Sequence, residues 1–91
     1  MLTRFKNIPF IALAFVASAS YADPQCSQAP ESDWIPFDTA KQQLVDEGYT
    51  IKKFKKTDTG CYELYGKDSQ GERVEIYFDP TNMQVIKEER G

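Results

Sequence analysis

The sequence predicts an α+β domain in which one N-terminal helix packs on a four-stranded antiparallel β-meander. Apolar and polar residues alternate with a period of two in two runs of the stretch Gly60 to Pro80, as in a β-hairpin with one buried face. Upstream of it, Trp34 to Gly48 has the amphipathic pattern of a helix that can cover such a face. Short polar segments rich in turn residues separate the strands, so consecutive strands should be neighbours.

The first 22 residues have the pattern of a cleavable signal peptide. Two basic residues precede the apolar run Ile8 to Val16, and Ser20-Tyr21-Ala22 is a small-x-small cleavage site. We expect cleavage after Ala22, with a cut after Ala19 as the weaker alternative, and localisation in the periplasm. The apolar run is too short to cross a hydrocarbon core about 30 Å thick, so no stable membrane insertion is expected after cleavage.

Cleavage would leave an acidic chain. The full sequence has a net charge of −3, and loss of Arg4 and Lys6 leaves nine basic residues against fourteen acidic ones, a net charge of −5. Binding to nucleic acid or to anionic membranes needs a dominant basic field. The composition therefore argues against both as partners.

The mature chain, Asp23 to Gly91, is small enough for its core to be marginal, and such domains usually need a covalent or metal staple. An oxidising compartment lets Cys26 and Cys61, the two cysteines of the chain, form one disulfide. The loop-closure estimate for about 35 residues is about 4 kcal/mol. A redox or metal-binding pair is the competing interpretation, but the chain has no CxxC spacing and no histidine.

Residues 23–33 hold two prolines and several small polar residues, which predicts an irregular N-terminal arm. The alternation of the hairpin puts Cys61 on the mixed face of the sheet. We therefore expect the disulfide to draw the arm partly across that face.

The predicted helix spans Trp34 to Gly48. Its apolar face should contain four residues with helical spacing, Phe37, Ala40, Leu44 and Val45. Pro36 fits the first turn, Asp38 favours the positive end of the helix dipole, and Gly48 can end the helix in the left-handed conformation. We expect Trp34 to plug the edge of the core rather than to form a ligand platform.

Four strands follow, at Tyr49 to Lys56, Cys61 to Tyr65, Arg73 to Phe78 and Met83 to Lys87. In the first, Phe54 is out of step with Ile51, which predicts a bulge near Lys53. This strand contains four lysines, Lys52, Lys53, Lys55 and Lys56, which predict an edge strand. Lysine on an edge strand blocks edge-to-edge aggregation and can pair with a carboxylate on the neighbouring strand, such as Glu63.

The last strand is the least determined. We expect Asn82 to take the left-handed conformation that closes the turn after Asp79-Pro80. Periodicity then leaves two alternatives open, with either Met83 and Val85 or Gln84 and Ile86 facing inward. Residues 88–91 are predicted to be a charged tail.

The two faces of the predicted hairpin differ in composition. One is apolar, with Tyr62 and Leu64 on one strand and three residues on the other, Val74, Ile76 and Phe78. The opposite face is mixed and carries the candidate partner-binding residues, Glu63, Tyr65, Glu75 and Tyr77. Tyrosines interleaved with charges are typical of recognition surfaces.

The order and spacing of several short motifs resemble the small exported members of the PepSY domain family. These are Gly48-Tyr49, the lysine-rich strand, Gly60-Cys61-Tyr62-Glu63, Tyr65, Asp68, Gly71, Val74-Glu75, Asp79-Pro80 and Val85. Asn82 stands where the family commonly has glycine. The resemblance covers the mature chain and implies a PepSY-like domain at residues 34–91. It also implies a function, since PepSY domains occur in peptidase propeptides, where they are thought to inhibit or chaperone the enzyme, and in cell-envelope proteins.

The residues themselves argue against an enzyme. Without histidine, the usual Ser-His-acid and Cys-His arrangements are impossible, and both cysteines are expected in the disulfide. We expect Glu63 and Glu75 to be solvated partners of lysine or arginine rather than an acid-base pair, because such pairs need a cleft. The segment 67–72 lacks the ligand spacing of a calcium loop. We therefore expect no catalytic residue, cofactor or metal site.

Two functions fit this sequence. The first is a non-enzymatic periplasmic binding module, either a peptidase inhibitor or modulator or an envelope regulator, that binds a peptidase or another envelope protein through the open face of its sheet. The second is a sensor or carrier of a small ligand or ion, lodged between the arm and the sheet near Cys26 and Cys61.

Overall fold

The computed structural model describes residues 23–91, so the predicted signal peptide and its cleavage site lie outside the described residues. After a short 3-10 turn at Glu31–Asp33, helix α1 spans Phe37–Asp46. The strands are β1 Thr50–Lys56, β2 Tyr62–Lys67, β3 Arg73–Phe78 and β4 Val85–Arg90. They form one sheet in the order β1-β2-β3-β4, and all pairs are antiparallel. This confirms the predicted helix on a four-stranded meander.

The core lies between α1 and one face of the sheet. Ala40 and Leu44 of α1 are buried, and they meet the buried residues Tyr62, Leu64, Val74, Ile76, Phe78 and Met83. Trp34 packs against this cluster, with its ring 5.5 Å from that of Tyr62 in an edge-to-face arrangement, and its Nε1 donates a hydrogen bond to Ala29 O. Trp34 is thus partly buried at the edge of the core, as predicted.

Helix α1 is shorter than the sequence predicts. Pro36 precedes the helix, with ψ of 140°, and its carbonyl accepts the hydrogen bond from Ala40 N. At the other end Gly48 has a φ of +102°, and Tyr49 N–H bonds Leu44 O, which completes a glycine-terminated C-cap. Val45 is 46% exposed, so its predicted place in the core is wrong. The apolar stripe of α1 is narrower than predicted, since Ala40 and Leu44 are the residues of this helix that are fully buried.

Strand β1 is an edge strand with an irregularity at the predicted place. Ile51 pairs with Gly66, but Lys53 pairs with Tyr65, so Lys52 is the extra residue of a bulge. Lys55 Nζ lies 3.7 Å from a carboxylate oxygen of Glu63 on β2, which confirms the expected cross-strand ion pair.

The last hairpin differs from the prediction in three ways. Met83, not Asn82, has the positive φ, of 61°. Strand β4 runs from Val85 to Arg90, so the expected charged tail is mostly strand. Neither predicted alternation holds, because Met83 is buried while Val85 is exposed, as are the two residues of the other alternative, Gln84 and Ile86. The left-handed turn at Met83, fixed by its N–H donating to Asp79 O, breaks the period of two at this point.

Asp68 and Arg90 tie the end of β4 to the β2–β3 turn. Asp68 accepts hydrogen bonds from the backbone N–H groups of Gln70 and Glu72, and Arg90 Nη1 lies 2.6 Å from its Oδ2. These interactions lower the pKa of the Asp68 carboxyl, and the Arg90 guanidinium has the largest effect.

None of the helices within residues 23–91 has the length and apolar character needed to span a membrane.

Candidate functional site

The sheet face opposite α1, called the open face below, carries two rows of side chains in register across all four strands. Residues paired across antiparallel strands project to the same face. One row is Lys55, Glu63, Tyr77 and Lys87, and the other is Lys53, Tyr65, Glu75 and Glu89. The four candidate partner-binding residues predicted from the sequence therefore lie together on the open face.

The N-terminal arm covers one half of this face. Cys26 and Cys61 form the predicted disulfide, and Cys61 is fully buried. Cys26 N–H donates to Thr59 O over 3.1 Å, and Pro24 O lies 3.3 Å from Cys61 Sγ. The arm thus crosses the sheet on the side away from α1, as the alternation of the hairpin predicts.

Tyr77 is the centre of the covered half. Its hydroxyl lies 3.2 Å from Asp23 Oδ1 and 3.2 Å from Glu75 Oε2, and the residue is only 7% exposed. Burial, followed by the charges of the carboxylates of Glu63, Glu75 and Asp23, raises the pKa of the Tyr77 hydroxyl. Tyr77 therefore stays protonated and can donate a hydrogen bond to one of the acceptors beside it.

Glu63 belongs to the same covered group. Its side chain is 12% exposed, so the expectation of a solvated carboxylate is wrong for this residue, although the expected pairing with a lysine is present in Lys55. Burial, and then the hydrogen-bonded Glu75 carboxyl, raise the pKa of Glu63, while Lys55 opposes the shift. Tyr77 thus contacts the arm directly, and Glu63 and Glu75 lie beside Tyr77 on the same face.

Tyr65 lies in the uncovered half and is 40% exposed. On its β1 side is a groove of about 510 Å³, lined by residues 50–52, residues 65–67 and Arg73. On its β4 side is a smaller groove of about 290 Å³, lined by Tyr65, residues 73–75 and residues 89–91. The open face therefore consists of a half closed by the arm and a half that is grooved around Tyr65.

Sequence reasoning missed Lys67 and Arg73 as members of this site. The predicted second strand ends at Tyr65 and so leaves out Lys67, which is the last residue of β2, and Arg73 begins β3 directly opposite Lys67. The signal that identifies them is the period of two, because Lys67 follows Tyr65 by two residues and Arg73 precedes Glu75 by two.

The alternative site, between the arm and the sheet near the disulfide, is closed at Cys61, which is fully buried against the arm. A cavity of about 450 Å³ lies beside it and is lined by arm residues, Trp34 and residues 57–60. Residues 23–91 contain no group of three or more histidine, cysteine, aspartate or glutamate side chains placed to hold a metal ion.

Comparison with known proteins gives one match. No curated protein and no solved structure is significantly similar to this chain. The model of the family described as "Peptidase propeptide and YPEB domain" matches residues 7–89, which is most of the chain. The motifs that resemble PepSY domains thus agree with the family model, and the chain belongs to the PepSY family.

Proposed function

We propose that this protein is a non-enzymatic binding module of the periplasm, released by cleavage after Ala22, and that it inhibits or modulates a peptidase or regulates another envelope protein. Membership of a family named for peptidase propeptides supports a regulatory binding role. The disulfide supports a compartment outside the cytoplasm, because such bonds persist where thiols are not kept reduced.

The exposure of Tyr65 carries this proposal. Tyr65 lies on the inner strand β2, surrounded by charged residues, yet 40% of it remains accessible. Tyrosines in this setting provide much of the binding energy in protein interfaces, because a rigid ring buries a large area at a small entropic cost. The recognition surface is therefore the uncovered half of the open face.

The other candidate residues have a different role in this proposal. Tyr77 holds the arm through Asp23, Glu63 lies beside Tyr77 in register, and Glu75 bridges the two halves through its contact with Tyr77. We do not expect Glu63 and Glu75 to act as a catalytic pair, since Glu63 is only 12% exposed and is paired with Lys55. The partner contacts Tyr65 directly and meets the covered residues only if the arm is displaced.

Site-specific photo-crosslinking in cells tests this proposal. A photoreactive phenylalanine replaces Tyr65 in one variant and Thr39, an exposed residue of α1, in a matched control. We expect a discrete crosslinked envelope protein from position 65 that is absent from position 39, and we expect Tyr65→Ala, unlike Thr39→Ala, to abolish its co-purification. No product at position 65, or the same product at both positions, would contradict the proposal.

A further inference from the structure

The distribution of unpaired positive charges on this acidic chain is uneven. Residues 23–91 contain nine lysine and arginine side chains, of which four have a carboxylate oxygen within 4.0 Å: Lys55, Lys56, Lys87 and Arg90. The other five do not, and they are Lys41, Lys52, Lys53, Lys67 and Arg73. The same residues include fourteen acidic side chains, so carboxylates are not scarce.

Four of these five unpaired cations surround Tyr65. Lys52, Lys67 and Arg73 line the 510 Å³ groove beside its ring. Lys53 is its partner in register on β1. The fifth, Lys41, lies on α1 and does not line this groove.

The sheet places two of these cations in an unfavourable arrangement. Lys67 and Arg73 are paired directly across β2 and β3, and like charges in directly opposite positions destabilise a sheet. No carboxylate of the described residues lies within ion-pair distance of either one to relieve the repulsion. Local rules of this kind are most often broken where a binding site requires it.

We infer that the segment of the partner that binds beside Tyr65 is acidic and extended, and that its carboxylates meet Lys52, Lys67 and Arg73. This inference depends on the proposed function and names the chemistry of its partner. The groove is lined by three successive residues of the edge strand β1, so an extended segment fits along that edge. The groove on the β4 side of Tyr65 contains Glu75 and Glu89 as well as Arg73 and Arg90, whereas the β1 groove contains three cations and no carboxylate side chain, which favours the β1 side for an acidic segment.

The test uses the oxidised, exported protein and an octaglutamate peptide as probe. We expect octaglutamate, but neither octalysine nor octaglutamine, to shift the backbone NMR signals of residues 50–52, 65–67 and 73. The affinity should fall as salt is added, because these charges are exposed to solvent.

Charge-reversal variants identify the residues responsible. Lys67→Glu should weaken octaglutamate binding by about tenfold or more, whereas the matched control Lys41→Glu should change it by less than about twofold. Lys67→Glu places a carboxylate opposite Arg73, so this variant is expected to fold. Equal losses in the two variants would overturn the inference.

Two further outcomes are decisive. Tighter binding to phosphatidylglycerol vesicles than to octaglutamate, with the same dependence on Lys67, would overturn the inference in favour of a membrane. Capture of a partner at position 65 that is unaffected by Lys67→Glu would also overturn it, but would leave the proposed function intact. Absence of any crosslinked partner, with octaglutamate binding retained, would instead contradict the proposed function alone.

Discussion

Two glycines with nearly the same positive φ allow the contribution of the docked arm to stability to be measured. Gly60 has a φ of +80° and Gly71 a φ of +82°. A Cβ atom on Gly60 would lie 2.1 Å from Ser27 O in the arm, whereas a Cβ atom on Gly71 would meet nothing within 4 Å. The pair therefore separates the cost of the left-handed conformation from the cost of displacing the arm.

We expect Gly71→Ala to reduce the free energy of unfolding by about 1–2 kcal/mol, the usual cost of a left-handed conformation for a residue with a Cβ atom. Gly60→Ala should lose that amount and about 1–3 kcal/mol more, because the new methyl group meets the backbone carbonyl of Ser27, which can move away only if the arm moves with it. Urea unfolding of the oxidised proteins measures both losses. Trp34 fluorescence adds a second readout, because Trp34 donates a hydrogen bond to Ala29 of the arm. We expect this fluorescence to change in Gly60→Ala and not in Gly71→Ala.

Equal losses of stability in the two variants, with unchanged Trp34 fluorescence, would refute the close packing of the arm on the turn at residues 57–60. A larger loss in Gly60→Ala without a change in fluorescence would place the displaced contact at Ser27 only.

Three further predictions concern the disulfide and two carboxyl groups. Replacing Cys26 and Cys61 together by serine should lower the free energy of unfolding by about 4 kcal/mol, as expected for a loop closed over a sequence separation of 35. A loss below about 1 kcal/mol in urea unfolding would contradict this. Glu63 has a raised pKa, so its ionisation opposes folding once the pH exceeds the ordinary value of 4.5. Glu63→Gln should therefore gain stability relative to the wild type as the pH rises from 4.5 through the folded-state pKa, and a pH-independent difference in urea unfolding would contradict this. Asp68 has a lowered pKa, so it stabilises the fold above its ordinary value of 3.8 and loses this effect as the pH falls through the folded-state pKa. Asp68→Asn should therefore be less stable than the wild type at neutral pH, by a difference that shrinks in acid, and a difference that stays constant as the pH of urea unfolding is lowered would contradict the lowered pKa.

The parts of the fold that the sequence predicts well are those with one buried face. In β2 and β3 the alternation of residues such as Leu64 and Ile76 follows the burial found in the structure, because every second residue must enter the core. The bulge at Lys52 and the helix end at Gly48 were predictable for the same kind of reason, since each is encoded by a few adjacent residues.

The errors occur where tertiary contacts outweigh local pattern. Strand β4 is exposed on most of its length, so its sequence carries no alternation, and it is held by backbone pairing with β3 and by polar contacts such as that of Arg90 with Asp68. In the site, Tyr65 and Tyr77 have the same place in the alternation but opposite exposure. The difference arises because Asp23, which is distant in sequence, covers only Tyr77.

The meander also has a consequence for the order in which this protein folds. Each strand pairs only with its neighbours in sequence, and chains dominated by such local contacts fold quickly. The arm is different, because Asp23 reaches Tyr77 across 54 residues and Cys26 reaches Cys61 across 35. We expect the sheet to assemble first and the arm to be added last. Thiol oxidation would then act on an intermediate in which Tyr77 and the rest of the open face are not yet covered by the arm.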